Sequence, residues 1–142
     1  MKLQSITIDD YPNLISFWKD NYLLTPLDEY ERIELFLNKN PNLSILAEEH
    51  GDIIGTVLAS FDGRRGALQK IVVSRKHRGK GIGQTLVKAA VKRLEDAGAL
   101  DIRFNTDEEL VPFYKKCGFI KDSRPSMIIR KFKLPLKIIA KS

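Results

Sequence analysis

The spacing of apolar residues in the first part of the chain predicts one strand followed by two helices. Apolar and polar residues partly alternate over positions 3–8, which is typical of a short strand. The next apolar residues recur at helical spacing, with Pro12 in the first turn, where its missing N–H group costs nothing. Residues 21–27 form a loop broken by Pro26, and a second helix begins at Asp28.

The pattern after the second helix predicts an antiparallel meander. Two strand-like runs, 43–48 and 52–61, are joined by residues 49–51 as a hairpin. A second turn over residues 62–66 leads into a third run, 67–73, which ends in β-branched residues.

The second half of the chain predicts a strand–helix–strand crossover. A long helical pattern begins at Gln84, carries apolar residues on one face and stops at Gly98. A short strand follows at 99–104, and the order of elements makes it parallel to strand 67–73. A further helix is predicted over 107–116.

The last part of the chain predicts a final β-hairpin. Its two strands lie around 119–121 and 126–133, whereas the basic, partly apolar tail at 133–142 matches no element. With 142 residues, 43% of them hydrophobic, the chain suits one α/β domain spanning residues 1–142.

Composition excludes several classes of protein. Cys117 is the only cysteine and cannot form an intrachain disulfide, and two histidines do not provide a zinc site, so no metal is expected. No stretch reaches the roughly 20 apolar residues of a membrane span, and the N terminus has no apolar signal block. We therefore expect a soluble, cytoplasmic protein without a membrane partner.

The net charge of +6 is unevenly distributed along the chain. Residues 1–62 contain 4 Lys/Arg and 11 Asp/Glu, whereas residues 63–93 contain 10 Lys/Arg and no acidic residue. A phosphate-bearing small ligand accounts for this basic segment at least as well as a nucleic acid does. A nucleic-acid binder ranks last, because the sequence shows no aromatic-interleaved basic strand and no recognition helix.

A glycine-rich turn lies inside the basic segment, between strand 67–73 and the long helix. It reads RGKGIG over residues 78–83. Glycines let the backbone approach a ligand, and the unpaired N–H groups at the start of a helix favour an anion. A Walker loop would need Gly-Lys-Ser/Thr, and a dinucleotide fingerprint would need its third glycine one residue later. The turn therefore predicts a phosphate-binding loop that is neither a Walker loop nor a dinucleotide-binding turn.

Two segments carry a resemblance to a known family. The sequence IVVSRKHRGKGIG at 71–83 resembles the acetyl-CoA-binding motif of the GNAT N-acetyltransferase superfamily, whose core is Gln/Arg-x-x-Gly-x-Gly/Ala. The sequence YKKCGF at 114–119 is similar to the Tyr-x-x-x-Gly-Phe signature of the same family. The predicted order of elements agrees with this family over nearly the whole chain.

The resemblance implies a fold and a donor. The implied fold is a mostly antiparallel sheet of about six or seven strands, with strands four and five parallel and splayed, and four helices. The implied cosubstrate is acetyl-CoA, whose pyrophosphate would bind backbone amides of the turn and whose pantetheine arm would pair with strand 71–73. The residues so implied in donor binding are Ile71, Val72, Val73, Arg78, Gly79, Lys80, Gly81, Ile82, Gly83 and Gln84.

The resemblance also implies catalytic residues. Tyr114 matches the tyrosine that protonates the leaving thiolate in many relatives, although a packing aromatic residue is an equal alternative. The Glu that many relatives carry on the strand before the turn is missing from residues 67–70. Asn105, near the end of strand 99–104, could orient an amine or a water but is a poor base. We therefore expect an ordered water as the base, relayed through a backbone carbonyl or an acid such as Asp107.

The acceptor is predicted to be a small cationic primary amine, acetylated by direct transfer in a ternary complex. Loop 21–28, with Tyr22 and Asp28, belongs to the acidic segment that walls the acceptor site in the resembled family. The alternatives are a protein N-terminal or lysine acetyltransferase and a non-catalytic acyl-CoA-binding module. A homodimer is also implied, since family members often associate through their C-terminal strands.

Overall fold

Five strands form one mixed sheet in the computed structural model, which describes residues 1–134 of the chain. The strands follow their order in the sequence across the sheet, with antiparallel pairing from the first to the fourth and parallel pairing of the last two. They are β1 (Lys2–Ser5), β2 (Ile45–Glu49), β3 (Asp52–Phe61), β4 (Arg65–Val73) and β5 (Asp101–Arg103). The predicted mixed α/β architecture, including the parallel pair, is confirmed.

The four predicted helices are also present. They are α1 (Tyr11–Asn21), α2 (Tyr30–Lys39), α3 (Ile82–Ala97) and α4 (Val111–Lys116). The second helix begins later than predicted, because Pro26–Asp28 form a separate 3₁₀ turn in which the Asp28 carboxylate accepts the Thr25 N–H. Within the described range, no helix has the length and apolar character needed to cross a membrane.

Two apolar layers cover the two faces of the sheet. One face packs against the apolar stripe of α3, formed by Ile82, Leu86, Val87, Ala90 and Leu94. The other face packs against α1 and α2, whose buried side chains include Leu14, Phe17, Trp18, Ile33 and Leu37. The sheet is therefore buried on both sides over β2, β3 and part of β4.

The parallel pair is short, and β4 extends well beyond it. Residues Arg65, Gly66 and Ala67 of β4 pair with the three residues of β5. From Leu68 to Val73, no strand in the described part of the chain pairs with that side of β4. This is the predicted splay of strands four and five, and it leaves a row of backbone groups open along the β4 edge.

The predicted final hairpin does not form in the described residues. Positions 118–134 contain no strand, so the sheet has five strands there and not six or seven. The apolar side chains that suggested strands, such as Ile120 and Met127, are more than 90% exposed and have no surface on which to pack. The three-residue edge of β5 offers few hydrogen-bond partners for a further strand. Most of the tail at 133–142 lies outside the described residues.

A β-bulge distorts β4 next to its open edge. Thr56 pairs with Val72 and Leu58 with Gln69, so that Lys70 and Ile71 together oppose a single residue of β3. Lys70 takes a left-handed conformation with φ of 49°, which is rare for a residue other than glycine. The neighbouring structure must hold this bulge in place.

Buried hydrogen bonds connect the bulge to α1. The Trp18 indole N–H donates to Thr56 Oγ1 at 2.9 Å, and that hydroxyl donates to the Lys70 carbonyl oxygen at 2.9 Å. Trp18 and Thr56 are both fully buried, so neither group can bond to solvent instead. One threonine hydroxyl thus links the core helix to the bulge.

We predict that Thr56→Val destabilises the protein by about 1–3 kcal/mol, because it leaves the buried indole N–H and the Lys70 carbonyl oxygen without partners. Thr56→Ser is the matched control, since it keeps the hydroxyl and removes only a methyl group. The free energy of unfolding from urea denaturation checks the difference. Equal stability of the valine and serine variants would contradict the role given to the hydroxyl.

Candidate active site

The turn from Arg78 to Gly83 presents bare backbone where β4 gives way to α3. Gly79 and Gly81 have φ of 80° and 81°, and a Cβ built on either residue would meet nothing within 4 Å. These glycines are therefore required by the backbone conformation and not by crowding from neighbouring side chains. The space beside them is open to a ligand.

Seven consecutive amide groups in this region lack an acceptor. Among residues 1–134, no hydrogen bond uses the backbone N–H of any residue from Arg78 to Gln84, and no side chain caps α3. The next amide, that of Thr85, bonds to the Gly81 carbonyl oxygen in the normal helical manner. We call residues 78–84 the amide array. Its N–H groups and the positive end of the α3 dipole suit a phosphate group.

The open edge of β4 runs directly into the amide array. Val72 is buried against α1 and α2, whereas Ile71 and Val73 are half-buried and pack toward α3. The Arg78 guanidinium folds back and donates to the Val73 carbonyl oxygen at 3.2 Å. Burial, and then the neighbouring charge of Arg75, lower the pKa of Arg78 from its ordinary value. This side chain thus braces the end of the strand.

Gly83 brings three elements of the site together. A Cβ built on it would lie 3.4 Å from the Phe113 ring and 3.5 Å from Val73 Cγ2. The start of α3, the end of β4 and the side of α4 therefore meet at this residue. A larger side chain here would push α4 away from the strand end.

Tyr114 lies on α4 within an aromatic cluster. Its ring makes edge contacts with Phe104, Phe113 and Phe119, at centroid distances of 4.5, 5.0 and 6.2 Å. The residue is 8% exposed. Burial raises the pKa of Tyr114 to about 12, and the neighbouring Cys117 and Tyr22 add to the increase. The phenol therefore stays protonated at neutral pH.

Asn105 and Tyr114 line the same cavity, which has a volume of about 1040 Å³. Residues 101–106, α4 and the segment 119–126 surround it. Asn105 is exposed, and its side-chain oxygen Oδ1 accepts a hydrogen bond from the Ser126 hydroxyl at 3.2 Å. The structure thus brings the two predicted catalytic side chains into one space, although they come from different elements.

The two predicted acceptor residues occupy different environments. Tyr22 follows α1 directly and is 44% exposed. Asp28 is only 4% exposed, and its carboxylate pairs with the ammonium group of Lys70 at 3.0 Å. Its charge is therefore already balanced inside the protein.

Lys70, which belongs to the basic segment 63–93, has surroundings that the sequence analysis did not predict. Its ammonium group lies among Asp28, the Leu23 carbonyl oxygen and two aromatic rings, on the side of the sheet that faces α1. The sequence around this lysine does not reveal that its ammonium group is enclosed, because its partners lie more than 40 positions earlier in the sequence.

Comparison with known proteins identifies the family. The profile of the acetyltransferase (GNAT) family matches residues 4–119, and the chain is 32% identical over 123 residues to an acetyltransferase from Pectobacterium atrosepticum, with 84% of this chain and 87% of that protein covered. The chain belongs to the GNAT acetyltransferase family. The resemblance inferred from residues 71–83 and 114–119 is confirmed.

Solved structures with the same fold agree with this assignment. Glucosamine-6-phosphate N-acetyltransferase from Arabidopsis thaliana has a TM-score of 0.68 and 20% identity, with 92% of this chain and 97% of that chain covered. The PaiA N-acetyltransferase from Thermoplasma acidophilum, solved in complex with coenzyme A, has a TM-score of 0.72 and 16% identity, with 87% and 92% covered. At these identities the likeness concerns the GNAT fold alone.

The raised pKa of Tyr114 predicts a loss of stability in alkaline solution. Between the ordinary pKa near 10 and the folded pKa of about 12, the unfolded state loses a proton that the folded state keeps. Each pH unit in this window therefore lowers the free energy of unfolding by up to about 1.4 kcal/mol. The stability is fully present below pH 10 and is lost as the pH rises toward 12.

Tyr114→Phe removes this titration and serves as the comparison. Urea denaturation at pH 9 and pH 11 should show the wild type losing roughly 1 kcal/mol more than the variant. The same loss in both proteins would mean that the phenol is not buried in its neutral form.

Proposed function

We propose that this protein is an acetyl-CoA-dependent N-acetyltransferase that transfers the acetyl group directly to a primary amine. The observation that carries the proposal is the continuity of the amide array at 78–84 with the open edge of β4 at 68–73. Coenzyme A carries both a pyrophosphate and a pantetheine arm with two amides, so it needs anion-binding N–H groups beside a free strand edge. The family membership supports the same donor.

Each donor-binding residue has a defined part in this proposal. The backbone of Arg78, Gly79, Lys80, Gly81, Ile82, Gly83 and Gln84 binds the pyrophosphate. Ile71, Val72 and Val73 pair their backbone with the pantetheine arm, as an added strand would. The side chain of Arg78 contributes indirectly, because it bonds to the Val73 carbonyl oxygen and braces the strand end.

Backbone and phenol groups supply the chemistry. A backbone N–H near Val73 stabilises the negative charge that develops on the thioester oxygen. As the new C–N bond forms and the C–S bond breaks, Tyr114 donates its proton to the departing thiolate, for which its high pKa keeps it protonated. Asn105 orients the amine or a water. The water takes the proton that the amine loses and passes it to an acid such as the Asp107 carboxylate, and the Tyr114 phenolate regains a proton from solvent after the thiol leaves.

The acceptor is a small cationic primary amine in our proposal. The acid-rich segment 1–62 contributes the wall on this side of the sheet, and Tyr22 presents an exposed ring there. Asp28 acts on the acceptor indirectly, through the position of the loop, because its carboxylate is paired with Lys70. The Arabidopsis neighbour, named for an amino sugar phosphate, is an example of the same fold acting on a small amine.

Two alternative functions would require different properties of the protein. A protein N-terminal or lysine acetyltransferase would need an open groove for a peptide. A non-catalytic acyl-CoA-binding module would bind the donor without releasing thiol. The absence of a Glu at 67–70 leaves the binding module as the stronger rival.

Gly81→Ala is expected to weaken coenzyme A binding by about tenfold or more, because an L-residue resists the left-handed conformation and would withdraw the amides from the pyrophosphate. Gly51→Ala is a matched control, with φ of 84° in the β2–β3 hairpin and equally empty surroundings. Isothermal titration with coenzyme A measures both variants. Equal weakening by the two would point to general destabilisation and not to a donor site at the turn.

A screen for thiol release tests the activity and the acceptor together. Acetyl-CoA is incubated with polyamines, amino sugars, arylalkylamines and peptides with free N termini, and release is compared with hydrolysis in the absence of amine. We expect a small cationic amine to give the highest rate, and Tyr114→Phe to lower kcat by about 100-fold without changing coenzyme A affinity. A preference for peptides would favour the protein acetyltransferase, and no release above hydrolysis would favour the binding module.

A further inference from the structure

The ammonium group of Lys70 is enclosed at the bulge of β4. It lies 3.0 Å from Asp28 Oδ2 and donates to the Leu23 carbonyl oxygen at 3.1 Å. The rings of Trp18 and Tyr22 each have their centroid 5.0 Å from the nitrogen. Only 12% of the lysine side chain is exposed. Removing such a charge from water costs solvation free energy.

Stability alone is a poor explanation for this ion pair. Burial lowers the pKa of Lys70 from its ordinary value, and Asp28 offsets only part of that effect. Buried ion pairs can often be replaced by apolar residues without loss of stability. What the pair does provide is a fixed position for the groups bonded to it.

Those groups belong to the loop between α1 and α2. Lys70 bonds to the loop at Leu23, near its start, and at Asp28, near its end. Asp28 is further held by the Tyr11 hydroxyl, which donates to its carbonyl oxygen at 2.8 Å. The loop is therefore fastened to the bulge, which lies beyond the last residue of β4 that pairs with β5.

The exposed face of the Tyr22 ring follows from this attachment. Its other side is occupied by the Lys70 ammonium. The preceding residue, Asn21, accepts the Arg75 N–H on its side-chain oxygen at 3.1 Å, so the start of the loop is also tied to the segment that follows β4. The loop and the bulge thus lie together at the open end of β4.

We propose that the Asp28–Lys70 ion pair, enclosed by Trp18 and Tyr22, positions the loop at 22–28 as the wall of the amine-acceptor site. The proposal rests on the acetyltransferase function proposed above. Asp28 and Lys70 are positioning residues, because they act on the acceptor through Tyr22 and the loop and make no contact with the donor turn. Lys70 has a left-handed backbone at the bulge, and its side chain lies against the loop.

Steady-state kinetics separate this role from a purely structural one. Lys70→Met and Asp28→Asn should each raise the KM for the amine by about tenfold or more while leaving the KM for acetyl-CoA within about twofold. The double variant removes both charges and should regain thermal stability without regaining the amine KM. Recovery of both properties in the double variant would overturn the proposal, as would an unchanged amine KM in the single variants.

Two further measurements do not depend on activity. Trp18 is the only tryptophan, so its emission should change in Lys70→Met. Chymotrypsin should cleave after Tyr22 or Leu23 about tenfold faster in Lys70→Met and Asp28→Asn than in the wild type, since the loop opens more often. Lys92→Met is the matched control, because it breaks an exposed ion pair with Asp96 on α3 and should change neither readout.

These readouts keep the two proposals distinguishable. If the wild type transfers acetyl to no amine, the proposed function fails, and the acceptor role fails with it. If the wild type is active but the loop is cleaved equally in all variants, the positioning role alone is overturned.

Discussion

The fold depends at its functional end on hydrogen-bonding groups of the backbone that the sheet and the helix leave unused. The parallel pairing of β4 with β5 stops at Ala67, while β4 continues to Val73. The next helix begins without a side-chain cap, so its first N–H groups remain unpaired. Both features leave backbone N–H groups beside open space. The acetyl-CoA site that we propose there therefore depends on few specialised side chains.

The bulge in β4 combines a rare backbone conformation with buried polar contacts that stabilise it. The left-handed backbone of Lys70 and the bulge around it are supported by a buried hydroxyl on one side and by an ion pair on the other. Trp18 takes part in both, through its indole N–H to Thr56 and through its ring beside the Lys70 ammonium. β4 and the loop between α1 and α2 are thus connected through one small group of buried polar contacts.

The net charge of the proposed acceptor region differs from the charge counted along the sequence. Counting residues places an excess of acid in the first 62 positions. One of those acids, Asp28, is neutralised internally by a lysine that belongs to the basic segment. The charge available to a substrate is therefore smaller than the count along the chain, and the exposed Tyr22 ring is the more prominent feature of the loop.

The sequence by itself determined the order and type of most elements, because helix stripes, hairpin turns and the glycine turn depend on residues close together in the chain. The glycine turn and the aromatic residue Tyr114 stand out in the sequence for the same reason, since each lies in a local pattern. Only the tertiary structure decided that the segment at 118–134 contains no strand, because strand formation requires a partner edge to pair with, and β5 offers only three residues. It also decided that Asp28 is paired with Lys70, a contact between residues 42 positions apart that no local periodicity records.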